Sequence, residues 1–364
     1  MGKLQKTRPG SWSSFLSRSY ISGGNMKVLF IGGTGTISTA ISRKVIENGW
    51  ELWILNRGNR NTILPAGVRE IHCDINNEAE CSKKLEGHSF DAVADFIVFT
   101  PSQAERDYRL FKDKTRQYIF ISSASAYQKP PSDFRITEST PHSNPFWKYS
   151  REKIACEEFF MAKYREEGFP VTMVLPSHTY DERSIPLGVH GDRGSWQVIK
   201  RMLSGKPVII HGDGTSLWTM THNSDFAEAF TGLMGNIHAL GESVQITSDE
   251  SLTWNQIYLS IANALGVPLK AMHISSEFLG NAGPYDFRGS LIGDKANSVV
   301  FDNTKLKRLV PGFSARIRFD QGVRKCTEYV LSHKECQNED PDFDAWCDRV
   351  ISAQEKALAE LQGK

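Results

Sequence analysis

The sequence predicts an α/β fold built on a doubly wound parallel sheet, with a smaller α/β lobe toward the carboxyl end. Three observations predict it. An apolar, β-branched run over 28–31 leads directly into Gly32-Gly33-Thr34-Gly35 and then into a helical pattern starting near Ile37. Strand-like runs and helical stretches then alternate with short connections, as parallel βαβ units do. Past residue 155 the strict alternation loosens, which is where the second lobe begins to contribute.

Composition narrows the classes. A chain of 364 residues can bury a large core in one or two domains. Its formal net charge of +1 gives no global field to draw nucleic acid or an anionic membrane. No apolar run approaches the ~20 residues of a membrane span. Cys73, Cys81, Cys156, Cys326, Cys336 and Cys347 are scattered without a C-x-x-C pair. They read as buried or free thiols of a cytoplasmic protein, with no metal site. Residues 1–25 carry Lys3, Lys6, Arg8 and Arg18, no acid and six serines. That composition fits a transit peptide, an expression tag or an overlong start equally well. The arm is expected to be disordered and outside the chemistry, and Met26 is a candidate initiator.

Each element follows in order. The 28–31 run suits a buried parallel strand. Glycines after it let the backbone turn sharply and approach a pyrophosphate, whose charge sits on free N–H groups at the helix start. Ile37, Ile41, Val45 and Ile46 recur at helical spacing, and Asn48-Gly49 ends the helix. A second strand covers 51–55. At its end an acidic residue ordinarily takes the ribose hydroxyls of NAD; Asn56-Arg57 stand there instead, with Arg60 close by. Cations without a carboxylate favour the 2′-phosphate of NADP over NAD. The third strand, 68–73, ends in Asp74-Ile75, suited to an adenine's amino edge and face. A fourth strand over 91–97, a helix over 102–111 and a fifth strand over 117–122 complete the alternation.

Later segments read less regularly. A sixth strand over 171–175 precedes a loop-rich stretch to 193. A helix over 196–203, a strand over 207–211 and a turn at 212–214 follow. Residues 225–233 are helical, with Asp225 as its cap, and 244–247 should rejoin the main sheet as a late strand. A helix over 254–265, a strand near 272–274 and the segment 303–309 belong to the smaller lobe. The tail, 333–364, reads as a surface helix or an oligomer contact. The organisation expected is a nucleotide-binding domain over 26–176, joined by a segment near 220–250. A substrate lobe then takes 177–219 and 251–330.

The chemistry lies after the fifth strand. Ser122-Ser123-Ala124-Ser125-Ala126-Tyr127 sit at the carboxyl edge where doubly wound sheets bind ligands. Tyr149-Ser150-Arg151-Glu152-Lys153 opens the next helix. Residues four apart share a helix face, so Tyr149 and Lys153 can face one cleft. A phenol titrates near pH 10, and general acid–base work wants a value near 7. The shift of about 3 units, about 4 kcal/mol, is within reach of an ammonium and a cationic nicotinamide acting together. Ser123 would hold the substrate oxygen against Tyr149. A second YxxxK, Tyr108 to Lys112, precedes the serine-bearing strand and reads as part of an amphipathic surface helix.

Together these motifs resemble the extended short-chain dehydrogenase/reductases of the NAD-dependent epimerase/dehydratase family, over roughly 26–312. The carriers are GGTGTIS at 32–38, ISSASAY at 121–127, YSREK at 149–153, LPSHTYD at 175–181 and GDGTSLWTMTHNSDFA at 212–227. The resemblance implies a Rossmann-type sheet, an NADP or NAD cofactor and hydride transfer at a sugar-like hydroxyl, nucleotide- or phosphate-linked. Epimerase, dehydrogenase and reductase all remain open. It implies Ser123, Tyr149 and Lys153 as the catalytic set. To the cofactor it assigns Gly32, Gly33, Thr34, Gly35, Thr36, Ile37, Asn56, Arg57, Arg60, Asp74, Ile75, Phe96, Tyr149, Lys153, Pro176 and His178. To the substrate it assigns Ser125, Tyr127, His178, Tyr180, Trp218 and His222; apart from the resemblance, Arg288 and Lys305 are candidate phosphate ligands by their charge. A homodimer is expected on the same analogy.

The departures from the family pattern are specific. Ser38 replaces the third glycine, and Asp95 to Val98, DFIV, replaces HLAA. Ala124-Ser125 replaces the Asp-Glu pair of dehydratases. Leu175 and Asp181 replace an arginine and a glycine, and Trp218-Thr219 replaces an Arg-Asp. Sugar dehydration is disfavoured, and a nucleotide diphosphate loses one expected partner. The alternative is a non-catalytic nucleotide- or RNA-binding protein on the same fold, since DFI also resembles a branch with chloroplast RNA-binding proteins. Balanced charge argues against RNA.

Overall fold

In the computed structural model of the chain, residues 25–58 and 64–363 are described. The amino-terminal arm up to residue 24, and Arg60, lie outside them. β1 (Lys27–Ile31) has its last four residues fully buried, because strands flank it on both sides and helices cover both faces. Its side chains alternate: Val28 and Phe30 join one apolar cluster, Leu29 and Ile31 the other.

The chain then runs α1 (Thr36–Glu47), β2 (Glu51–Asn56), β3 (Arg69–His72), α2 (Glu78–Lys84), β4 (Ala92–Asp95), α3 (Pro101–Phe111) and β5 (Tyr118–Ile121). A short β6 (Arg135–Ile136) leads to α4 (Lys148–Glu167), β7 (Val171–Pro176) and β8 (His178–Tyr180). Next come α5 (Trp196–Leu203), β9 (Val208–His211), β10 (Leu217–Trp218), β11 (Met220–His222), α6 (Asn223–Leu233) and β12 (Ser243–Ile246). The remainder is β13 (Leu252–Thr253), α7 (Trp254–Leu265), β14 (Ala271–Ile274), α8 (Ser276–Asn281), β15 (Val300–Phe301), α9 (Thr304–Leu309), α10 (Phe319–Ser332) and α11 (Pro341–Leu361). A stretch of π-helix, Arg288–Lys295, precedes β15.

Seven strands form one parallel sheet in the order β12-β7-β5-β4-β1-β2-β3. The chain leaves β1 toward β2 and β3, then returns to β4 on the other side. This reversal opens a crevice beyond the carboxyl ends of β1 and β4, where such sheets take ligands. α1 and α6 cover one face and α3 and α4 the other. The late strand expected near 244–247 is β12, at the sheet edge beside β7. Four two-stranded pairings lie outside the main sheet, β8 with β11, β9 with β14, β10 with β13 and β6 with β15. They link segments widely separated in sequence.

Three expectations are corrected here. The helix expected over 225–233 starts at Asn223, and His222 caps it by accepting from the Ser224 N–H. Asp225 instead accepts from the Arg316 and Ile317 N–H groups at 3.1 and 2.9 Å. Cys73 and Cys81 are disulfide-bonded, while Cys156, Cys326, Cys336 and Cys347 are free thiols. The tail is more than a surface helix: in α11, Phe343, Trp346, Cys347, Val350 and Ile351 are buried, and the helix packs on α5 and β9. Ser38, where a third glycine would sit, is buried and accepts from the Gly35 N–H at 2.8 Å. Among the described residues no helix is long and apolar enough to cross a membrane.

Candidate active site

The glycine turn is tight because its neighbours leave no room. Gly32 has φ +92°, and a Cβ there would meet Ile97 Cγ2 at 2.7 Å. A Cβ on Gly33 would meet Ile54 Cδ1 at 2.8 Å. This close approach seats the start of α1 at the sheet edge. Gly35 is its N-cap, and the first N–H groups of a helix have no intrahelical partner.

Two cavities flank that turn. One, of about 810 Å3, runs from Gly32 and Thr34 past Asn56 and Arg57 to Asp74 and Ile75. Glu70, Ile97 and Phe99 also line it. The other, of about 470 Å3, gathers Thr36, Ile37, Ser123, Ser125, Tyr149, Pro176, His178 and Trp218. One end of a dinucleotide would fit each side of the helix start, so the donors, the Cβ-free cradle and the paired cavities fit a nicotinamide dinucleotide.

The first cavity differs from its sequence reading in one respect. No acid ends β2, but Glu70 of the neighbouring β3 accepts from Asn56 Nδ2 at 2.8 Å and lines the same cavity. Sequence reading missed it because register, not proximity in the chain, places Glu70 beside Ile54 and Asn56. Phe96 does not line either cavity. Its ring packs edge-on to Phe30 at 5.4 Å and lies 6.0 Å from Phe230, because strand alternation turns it to the α6 face. Ile97 and Phe99 take the wall instead. Asp95 is fully buried, and burial with Asp107 beside it holds its carboxyl well above the usual carboxylate range.

Around Tyr149 the serines form a hydroxyl cluster. Ser123 Oγ lies 2.9 Å from Ser125 Oγ, and Ser150 Oγ donates to Ser125 Oγ at 2.8 Å. Burial raises the Tyr149 phenol above its ordinary value; the Ser123 hydroxyl lowers it and the Asp294 carboxylate raises it. Lys153 departs from expectation. Its side chain is buried, donates to the Val98 and Ile121 carbonyls at 2.6 and 2.7 Å, and lies over the Phe99 ring at 4.6 Å. Its Nζ is 5.8 Å from the Tyr149 ring centroid. Burial pulls its pKa down to about 8, against the pull of Cys156, Asp95 and Glu157. A pKa of about 8 still leaves the ammonium as the main form at neutral pH, with the two carbonyls taking its protons in place of water.

His178 is held neutral, its pKa pushed down to about 3 by burial and then by Lys295 and His190. Tyr127, Tyr180 and His222 are not brought to this cavity. Tyr127 is buried, donates to Gln245 Oε1 at 3.1 Å and packs on His142 and Phe301. Tyr180 packs edge-on to Phe319 and His222 beneath α10. His222, besides capping α6, lies 3.5 Å from Glu182. Arg288 pairs with Glu277 at 3.4 Å and Lys305 with Glu242 at 2.5 Å, and neither lines either of these two cavities. Tyr108 hydrogen-bonds Glu167 on the outer face of α3 and α4. Sequence reading missed Lys129, Trp147, Thr179, His190, Asp294, Lys295 and Phe301, all on the wall of the second cavity. Only Trp147 had a local signal, two residues before Tyr149.

Fold and site together define a Rossmann-type parallel sheet with a crevice at its carboxyl edge, where Ser123 and Tyr149 line one cavity. The model of the NAD dependent epimerase/dehydratase family matches residues 28–246, and the chain belongs to that family. It is 24% identical over 306 residues to a 2'-dehydrokanamycin reductase of Streptomyces kanamyceticus, covering 84% of each. It is also 24% identical over 337 residues to a putative UDP-glucose 4-epimerase of Methanocaldococcus jannaschii, covering 84% of this chain and 99% of that one. The solved UDP-glucose 4-epimerase of Thermus thermophilus, in complex with NAD, superposes with a TM-score of 0.67 at 19% identity, over 84% of this chain and 99% of that one.

The depressed Lys153 has a measurable consequence. Its folded pKa of about 8 lies below the ordinary 10.5, so between those values the unfolded chain binds more protons. Stability therefore rises with pH across that window. The burial penalty is full below about pH 8 and relieved as pH climbs toward 10.5, by roughly 3 kcal/mol at most. In denaturant titrations, the unfolding free energy of wild type should gain on that of Lys153→Met through this window. A difference that stays flat with pH contradicts a buried lysine with a lowered pKa.

Proposed function

We propose that the protein is an NAD(P)-dependent oxidoreductase or epimerase acting by hydride transfer at a sugar-like hydroxyl. The observation that carries this reading is the meeting of Ser123 and Tyr149 in one cavity with Thr36 and Ile37 at the start of α1. A bound nicotinamide dinucleotide supplies the hydride acceptor or donor and, when oxidised, a positive charge beside the phenol. Ser123 holds the substrate oxygen and shares its hydrogen bond with Tyr149, which burial keeps protonated and ready to donate. In the oxidising direction Tyr149 takes the hydroxyl proton, for which it needs the cations beside it. Lys153 holds the Phe99 and Tyr149 side of the cleft through its two carbonyls and contributes such charge as burial leaves it. An epimerase would return the hydride to the opposite face; a dehydrogenase or reductase would release the changed cofactor. The segments 177–219 and 251–330 are read as the substrate lobe over a nucleotide-binding domain at 26–176, and two copies as pairing through α3 and α4.

Turnover of a hydroxy sugar with either dinucleotide should fall by about 10²–10⁴-fold in Tyr149→Phe, the usual worth of a positioned acid–base group. Dinucleotide affinity should stay near the wild-type value in the same variant. Unchanged turnover would remove Tyr149 from the chemistry.

NADP is the favoured cofactor on Arg57, which lines the first cavity at the end of β2 with Asn56. Glu70 opposes this preference but is engaged by the Asn56 amide. Arg57→Ala should cost NADP about tenfold or more in affinity and NAD little, about 1.4 kcal/mol of selective binding. Equal losses for both dinucleotides would show that Arg57 does not read the 2′-phosphate.

A further inference from the structure

The second cavity holds a charge arrangement that the hydride mechanism does not use. Its wall carries two amines, Lys129 and Lys295, and one carboxylate, Asp294. Lys129, with its side chain 2% exposed, lies 3.7 Å from Asp294 Oδ1, and the two offset each other. Both histidines on the wall, His178 and His190, are pushed toward the neutral form by burial. That leaves the Lys295 ammonium. Its one hydrogen bond is a long donation to the Ser290 carbonyl at 3.4 Å, and no ion pair engages it among the described residues. Burial depresses its pKa, with Asp294 pulling the other way.

The backbone of Lys295 is firmly held. Its carbonyl accepts from His211 Nε2 at 3.2 Å, Ser216 Oγ at 3.2 Å and Trp254 Nε1 at 3.1 Å. The side chain thus starts from a fixed point at the end of the Arg288–Lys295 π-helix. Its Nζ reaches 5.9 Å from the Trp147 ring, which is 4.9 Å from the Tyr149 ring. Two further donors on the same wall are also unspent: Trp218 Nε1–H and the Thr179 hydroxyl are buried without a hydrogen-bond partner among the described residues. Buried donors without partners are costly and rare, and a wall that collects them beside an unpaired ammonium suits an acceptor-rich, negatively charged ligand.

Resting on the function proposed above, we infer that this wall is an anion subsite, where Lys295 binds a carboxylate or phosphoryl group carried by the substrate close to its reacting hydroxyl. Neutral sugar hydroxyls would satisfy Trp218 and Thr179 but leave the ammonium uncompensated. An amino sugar would add a second cation. The subsite therefore selects acidic sugars or sugar phosphates over neutral and cationic ones.

The test is binding rather than turnover, so that it stands or falls apart from the hydride chemistry. Glucuronate, glucose 6-phosphate, glucose and glucosamine are titrated by ligand-observed NMR into the full chain saturated with dinucleotide. At least one anionic probe should bind tenfold or more tighter than glucose, and glucosamine should bind no better than glucose. Preference for glucuronate names a carboxylate as the partner; preference for glucose 6-phosphate names a phosphoryl group. Lys295→Met should erase the preference and Lys295→Arg should keep it, both with wild-type circular dichroism. The inference is overturned if neither anion outcompetes glucose or if Lys295→Met preserves the preference. A Lys295-dependent preference without turnover would leave the subsite standing and sink the proposed chemistry; turnover without charge preference would do the reverse.

Discussion

Everything in this site depends on two contacts that a methyl group would break. Gly32 sits against Ile97 and Gly33 against Ile54, each so close that a Cβ would lie under 3 Å from the neighbouring side chain. That closeness draws the start of α1 down onto the carboxyl edge of β1. Its free N–H groups then lie between the two cavities, one reaching to Asp74 and Ile75, the other to Tyr149. A larger residue at either position would lift the helix and separate the halves of the crevice. Ser38, in place of a third glycine, is accommodated because its hydroxyl closes on the Gly35 N–H rather than adding bulk against the sheet.

Desolvation is the second theme, and it acts on every titratable group at the reacting end. It raises Tyr149, lowers Lys153, His178, His190 and Lys295, and raises Asp294. The charged form is disfavoured in each case, so the cavity is poised to gain from whatever charge a ligand brings. An oxidised nicotinamide would help the phenol, and an anion would restore Lys295. The low dielectric that makes these groups costly in the bare fold also makes their interactions with a bound partner strong.

Much of the fold was legible because local pattern and tertiary role agree. The β1 run, the glycine turn and the spacing of Ile41 and Val45 each predict the element they form. The order of Ser123 before Tyr149 and Lys153 survives into three dimensions because a parallel sheet places successive strand ends along one edge. What was not legible depends on register and distant pairing. Phe96 was assigned to the wrong face by one step of strand alternation. Tyr127, Tyr180 and His222 are near the active edge in sequence, yet point into the core. Glu70 reaches the first cavity through β2–β3 register, and Asp294-Lys295 arrive from more than a hundred residues beyond Tyr149 on a π-helical stretch that no periodicity announces. The burial of α11 came through Trp346, whose indole donates to the Ala282 and Gly283 carbonyls.

The central claim is that the crevice at the glycine turn holds a nicotinamide dinucleotide with its reactive end beside Tyr149. Titration with reduced dinucleotide, following energy transfer from protein aromatics to the nicotinamide, tests it most directly. The account predicts a saturable signal at one dinucleotide per chain, lost in Gly33→Val that retains its circular dichroism. No saturable transfer in the wild type, or transfer that Gly33→Val leaves intact, would contradict it.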